Sequence, residues 1–272
     1  MTQTPVSPVT VPPAIEPQLR FRGARSVAAL ILREMSTTYG RNPGGYIWAI
    51  LQPTAMIAIL TVAFSLMLRS PALGTSFLLF YASGFLTLRM FQDVCQAATA
   101  AISFNRSLLA YPRVTYVDTI CARLTLAVLT QIMVSTVVLT GVIIYDDIKI
   151  SLEFGPIVEA YALAVLLAAG VGTFNSYMTV AFPVYKTLWT IVTRPLMLVS
   201  GIFYIYEGLP MFAQNLLWFN PLIHLTALAR TGFYSTYSPT FISIPYVVFF
   251  ALVPMFFGFL LLYRYSKDIL YK

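Results

Sequence analysis

Arg89 and Asp93 stand four residues apart in "GFLTLRMFQDVC", residues 84–95, inside an apolar stretch long enough to cross a membrane. That spacing puts both on one helix face. A charge at the bilayer centre costs about 2.5–3.5 kcal/mol on insertion scales. Two readings follow. The pair neutralises itself and packs inside a bundle, or its face lines a water-accessible conduit whose Arg attracts anions. Arg194, at the start of a later apolar stretch, either extends such a basic path or snorkels to the interface. Tyr46 and Trp48 sit where an aromatic belt would lie, or on the wall of the same conduit. Other chemistry is sparse. His224 is the sole histidine, and no other metal-type residue accompanies it, so a structural role is expected and no metal. No catalytic residue is assigned.

The elements that must position these residues are membrane helices. Of 272 residues, 58% are hydrophobic and 10% charged, and mean hydropathy is +0.78. Soluble domains carry about 25% charged residues. The expected fold is all-α and integral to the membrane, with six transmembrane helices at about 47–68, 76–102, 124–145, 160–182, 187–206 and 241–263. A further apolar stretch, 209–233, is broken by Asn220–Pro221 into halves too short to cross. It reads as a re-entrant helical hairpin between spans five and six, tolerated where protein covers its exposed backbone. Two short helices there, carrying Glu207, Pro210, Trp218, Pro221 and His224, form a candidate gate on the periplasmic side.

Thirteen of the 17 Lys and Arg residues fall on one side of this topology. The positive-inside rule makes that side cytosolic, with both termini on it. The net charge of +7 therefore reads as orientation rather than nucleic-acid binding. Residues 1–19 form a proline-rich, nearly uncharged stretch without an apolar signal region, expected to be a disordered cytosolic tail ahead of a transmembrane domain over 20–272. Residues 24–39 form an amphipathic helix in the interface. Val27, Ala28, Ile31, Leu32, Met35 and Tyr39 share its apolar face, with Arg33 and Glu34 opposite and Leu30 as an exception. "AAGVG", residues 168–172, sets small residues at i and i+4 for close helix packing. Cys95 and Cys121 read as free thiols.

Three segments carry a family likeness. "LREMSTTYGRNPGGYIWAILQP" (32–53) has the basic interface helix, Tyr-Gly turn, Gly-Tyr-Ile-Trp entry and first-span Pro53. "NRSLLAYPRVTYVDTICAR" (105–123) and "RPLMLVSGIFYIYEGLP" (194–210), followed by "NPLIHLTALAR" (220–230), keep the same order and spacing. Together they resemble the permeases of polysaccharide-exporting ABC transporters, above all the KpsM-like capsular polysaccharide permeases, with O-antigen permeases as near relatives.

The resemblance implies two permease copies working with two copies of a separate nucleotide-binding ATPase subunit. ATP and Mg would bind that partner, and no cofactor is expected in this chain. It also implies a periplasmic adaptor, an outer-membrane channel and a lipid-linked acidic polysaccharide as cargo, in a bacterial inner membrane. The chain itself has no G-x-x-x-x-G-K-[ST] and only Asp93 as a carboxylate within the expected spans, so a proton relay has little material. By resemblance, Asn105, Arg106, Leu108, Leu109, Tyr111 and Arg113 form the helix that couples to the ATPase. An ordinary cytosolic loop is the alternative. Export of O-antigen, teichoic acid or a small molecule stays open, as does an ion-coupled secondary transporter. A membrane-embedded polymer-processing enzyme would need an outer cluster of His and carboxylates that the sequence lacks.

Overall fold

A computed structural model describes residues 22–38, 44–109, 114–147 and 151–271. The expected tail at 1–19, together with Tyr39, Tyr111 and Arg113, lies outside the described residues. The elements are α1 (Arg22–Thr38), α2 (Gly45–Met67), α3 (Phe77–Thr99), α4 (Ala101–Phe104), α5 (Arg106–Leu109) and α6 (Tyr116–Tyr145). They continue with α7 (Phe154–Ala181), α8 (Pro183–Thr193), α9 (Leu196–Val199), α10 (Met211–Leu217), α11 (Pro221–Thr231) and α12 (Ile244–Tyr271). No strand occurs among the described residues. Four helices are long and apolar enough to cross a membrane: α2, α6, α7 and α12 as far as Tyr265.

The helix with the charges is the hub. α3 has the same 23 residues as α2, about 35 Å at 1.5 Å per residue. All ten residues from Leu79 to Leu88 are buried, Ser83 and Thr87 included. A helix buried all round belongs to the core, and α3 packs against α2, α6, α7 and α11. Ser83 and Thr87 therefore face protein, while Arg89 and Asp93 follow further along, each side chain 23% exposed.

The small residues of "AAGVG" serve two neighbours at once. A methyl group on Gly172 would sit 2.5 Å from the Ala98 Cβ of α3, and one on Gly170 would sit 2.0 Å from the Ala251 carbonyl oxygen of α12. α7 is therefore held between α3 and α12 by backbone approach, as membrane helix packing favours.

Three sequence expectations change. α6 begins at Tyr116 rather than 124, because Thr115 and Asp118 form a capping box. The Thr115 hydroxyl accepts from Asp118 N and the Asp118 carboxylate from Thr115 N. Arg123 thus sits two turns inside the helix instead of in a loop. α1 docks on α6, but not through its most apolar face. Leu30 and Glu34 are the buried positions, while Leu32 is 68% exposed. Val27 and Ile31 of the apolar face are half-buried, Ala28, Leu32 and Met35 are exposed, and the exceptional Leu30, one turn before Glu34, is the buried leucine.

The third change concerns 187–206, which is not one continuous helix. α8 ends at Thr193, a turn holds Arg194 and Pro195, and α9 lasts four residues. Pro195 has no N–H to continue the ladder. Gly201 then takes φ +75°, the left-handed region that ends helices at glycine, and 202–205 run without helix.

Candidate functional site

A helix interrupted inside a bundle leaves carbonyl oxygens that no water reaches, and each must find another donor. Side chains of the hairpin supply them. Asn220 Nδ2 donates to Val199 O at 2.8 Å, and Tyr204 Oη donates to Leu198 O at 3.0 Å. Arg230 serves the rest. Its Nη1 donates to Gly201 O (2.7 Å) and Tyr204 O (3.0 Å), and its Nη2 to Ile202 O (2.9 Å) and Phe80 O (3.5 Å). The guanidinium lies 4.0 Å from the Phe80 ring centroid, a favourable cation–π position. Arg230 is 2% exposed. Its charge is met by carbonyl dipoles and an aromatic face, with no carboxylate ion pair among the described residues. Among the described residues Arg230 heads the fully buried side chains by volume.

The hairpin takes shape around it. α10 and α11 are the two short helices on either side of Asn220, whose side chain also accepts from Leu222 N to start α11. Trp218, Pro221 and His224 come together. His224 Nε2 lies 2.9 Å from Trp218 O and Nδ1 accepts from Ser243 N at 3.3 Å, so the ring is neutral with its proton on Nε2. Trp218 and Tyr246 flank it, with centroids 5.5 and 5.6 Å away. This is a packed structural histidine. Glu207 and Pro210 stand apart from it on the surface: Tyr237 Oη donates to Glu207 at 3.1 Å, and Pro210 precedes α10.

At the other end of the bundle the charges gather round a cavity of about 240 Å³, lined by residues of α1, α2, α3 and α6. Arg89 Nη2 and Asp93 Oδ2 are 3.0 Å apart, each side chain 23% exposed. Gln131 Nε2 donates to the same Asp93 oxygen. Across the cavity, Arg123 Nε is 2.8 Å from Glu34 Oε1. Arg123 Nη1 also donates to Ala100 O at 3.2 Å, and its guanidinium covers the Phe104 ring at 4.4 Å. Burial pushes the Glu34 carboxyl above its ordinary range, and Arg123 and then Arg33 partly offset that. The cavity therefore holds two cations and two anions in pairs, not an unpaired basic track. The sequence offers Glu34 only as part of the polar face of the interface helix and gives Arg123 and Gln131 no site role; the Thr115-x-x-Asp118 box is the signal that puts Arg123 inside the helix. Tyr46, Trp48 and Arg194 do not line this cavity. Trp48 is 65% exposed, and Tyr46 and Arg194 are exposed too.

The candidate coupling segment is a single turn, α5. Leu108 N and Leu109 N bond to Asn105 O. The Asn105 side chain does not cap this turn. It is buried, donating to Ala101 O at 3.2 Å and accepting from Arg33 Nη1 at 3.3 Å. Leu109 packs on the small core of Ala101, Ile102, Ile120 and Leu262, so of the two apolar knobs only Leu108 is without a place in that core. Arg106 is exposed at the start of the turn.

A family model described as ABC-2 type transporter matches residues 25–234, from α1 through the hairpin. The chain belongs to the ABC-2 type transporter family. In this ABC-2 chain the matched region holds both the paired-charge cavity and the Arg230-stabilised break, while α12 follows it. Polysialic acid transport protein KpsM of Escherichia coli is 30% identical over 243 residues, 89% of this chain and 94% of its own. Capsule polysaccharide export inner-membrane protein CtrC of Neisseria meningitidis serogroup B is 26% identical over 245 residues, 90% of this chain and 92% of its own. Capsule polysaccharide export inner-membrane protein BexB of Haemophilus influenzae is 26% identical over 246 residues, with the same coverage. As an ABC-2 membrane component the chain is the permease, and ATP hydrolysis belongs to a partner subunit. Among the described residues no three His, Cys, Asp or Glu side chains gather as a metal site.

Proposed function

We propose that this ABC-2 permease exports capsular polysaccharide across a bacterial inner membrane. The observation that carries the reading is the match, over about nine-tenths of the chain, to transport and export proteins whose names specify polysialic acid or capsule polysaccharide. Two copies form the path and two ATPase subunits drive it. Each copy crosses six times: α2, α3, α6, α7, the broken α8–α9 segment and α12, with both termini cytosolic. The hairpin of α10 and α11 closes the outer end and opens by moving against the non-helical 202–205 segment.

The cargo is a lipid-linked acidic polymer. Because Arg89 is paired with Asp93 in the resting arrangement, the cargo's carboxylates replace Asp93 as its partner during passage. Force enters through the turn at Asn105–Leu109; Arg33 of the interface helix holds Asn105, and Arg123 of α6 holds Ala100 and Phe104 just before the turn. A periplasmic adaptor and an outer-membrane channel take the polymer onward.

The test is complementation. A strain lacking this gene and carrying Arg89→Glu should assemble the permease with its ATPase yet show little surface capsule, whereas the wild-type gene restores it. Full capsule with Arg89→Glu would take Arg89 out of the path. An undiminished capsule after deletion of the gene would overturn the function.

A further inference from the structure

A groove of about 1,200 Å³ runs between α2 and α6, toward the end of the bundle opposite the paired charges. Thr54, Ile57 and Ala58 of α2 form one wall, and Val137 and Gly141 of α6 the other. Gly141 sits within α6, where glycine is a poorer helix former than alanine. A methyl group added there would meet no atom within 4 Å. The chain's own packing does not require that space to be empty. Within a bilayer an open apolar groove is filled by hydrocarbon, since an unfilled wall forfeits its dispersion contacts.

The mouth of the groove is polar and chemically asymmetric. Asp146 and Asp147, both exposed, close it at the end of α6. The Asp146 carboxylate accepts from the Ser76 hydroxyl, and Asp147 holds a left-handed φ of 45° that turns the chain there. At the groove wall Tyr234 is 8% exposed, and its hydroxyl has no hydrogen-bond partner among the described residues. A buried donor left unmet is unfavourable, and an arriving acceptor oxygen relieves it.

We propose that this groove binds a phospholipid whose headgroup carries an ammonium. An acyl chain lies between α2 and α6, the ammonium faces Asp146 and Asp147, and an ester or phosphate oxygen accepts from Tyr234. An anionic phosphatidylglycerol fits the same apolar walls but meets like charge at the rim. This site is separate from the cargo path and does not depend on the identity of the cargo.

Native mass spectrometry of the full chain with its ATPase partner tests it, with dioleoyl phosphatidylethanolamine and dioleoyl phosphatidylglycerol added in equal amounts. Wild type should retain phosphatidylethanolamine about two- to fivefold over phosphatidylglycerol, the scale of an exposed ion pair. The double substitution Asp146→Asn, Asp147→Asn should bring that ratio to about one. Gly141→Phe, whose Cβ would meet no atom within 4 Å, should fill the groove and reduce retention of both lipids. Ala58→Phe on the opposite wall should do the same, and covers the case in which the first variant misfolds. Equal retention of the two lipids by wild type overturns the headgroup assignment. Undiminished retention in a correctly folded filler variant places the lipid elsewhere and overturns the groove. Disulfide-linked dimers from Gly141→Cys in a Cys121→Ser background would make a second copy the occupant, and also overturn it.

Discussion

Arg230 Nη1 lies 2.7 Å from the carbonyl oxygen of Gly201, 29 positions earlier in the chain. That contact joins the end of the hairpin to the point just after α9 where the helical path gives out. A guanidinium has five N–H donors in a fixed fork, which suits it to several diverging carbonyls at once. An ammonium, with three donors at one point, cannot span them.

Arg230→Ala should lower stability by about 3 kcal/mol or more, because it strands several buried carbonyls together. Arg230→Lys should recover only part of that loss. Thermal melting of the detergent-solubilised permease checks both, and wild-type stability in Arg230→Lys would refute the role given to the fork.

Asp93→Asn separates an exporter driven by ATP from an ion-coupled pump. It keeps a hydrogen-bond acceptor for Arg89 and removes the titratable group. Capsule export should persist at reduced or unchanged level. Complete loss of export with intact ATPase stimulation would instead point to proton coupling through Asp93.

Glu34 has a testable pH signature. Its folded-state value is raised above the ordinary 4.5, chiefly by burial. The folded state therefore binds this proton more tightly than the unfolded state. The stability it contributes is fully present below 4.5 and is lost as pH rises through the raised value. Glu34→Gln should remove that slope and leave the protein at least as stable as wild type at neutral pH. Arg123→Ala should do the opposite, leaving Glu34 buried without its main partner. Melting temperature against pH for the three proteins decides it; an unchanged slope in Glu34→Gln would rule out Glu34 as its source.

Leu108→Asp gives a cleaner probe of coupling than a change at both leucines, since Leu109 belongs to the chain's own small core. The variant should fold and co-purify with the ATPase while losing stimulation of ATP hydrolysis by the permease. Full stimulation would exclude Leu108 from the contact.

Gly170→Ala should cost about 1–3 kcal/mol, the usual range for overpacking. Its new methyl group would meet the Ala251 carbonyl at 2.0 Å, so α7 and α12 must separate. Gly141→Ala, with open space around it, should be neutral or stabilising. The contrast in melting temperature between the two is the measurement.

Local chemistry was enough for much of this protein. Hydrophobic run length marked α2, α7 and α12 because a bilayer demands about 20 apolar residues per crossing. Asn220–Pro221 marked the hairpin because proline starts a helix and cannot continue one. The i, i+4 spacing of Arg89 and Asp93 allowed their ion pair, and three segments in order carried the family likeness. What local patterns leave open is which partner a side chain finds across the fold. Leu30 rather than Leu32 meets the core of α6. Glu34 pairs with Arg123, 89 positions away, to balance Arg89 and Asp93 around one cavity. Arg230 turns inward because the interrupted helix leaves carbonyls only it can reach. Those pairings follow from the satisfaction of buried charge and backbone in three dimensions, and no window of sequence contains both halves of them.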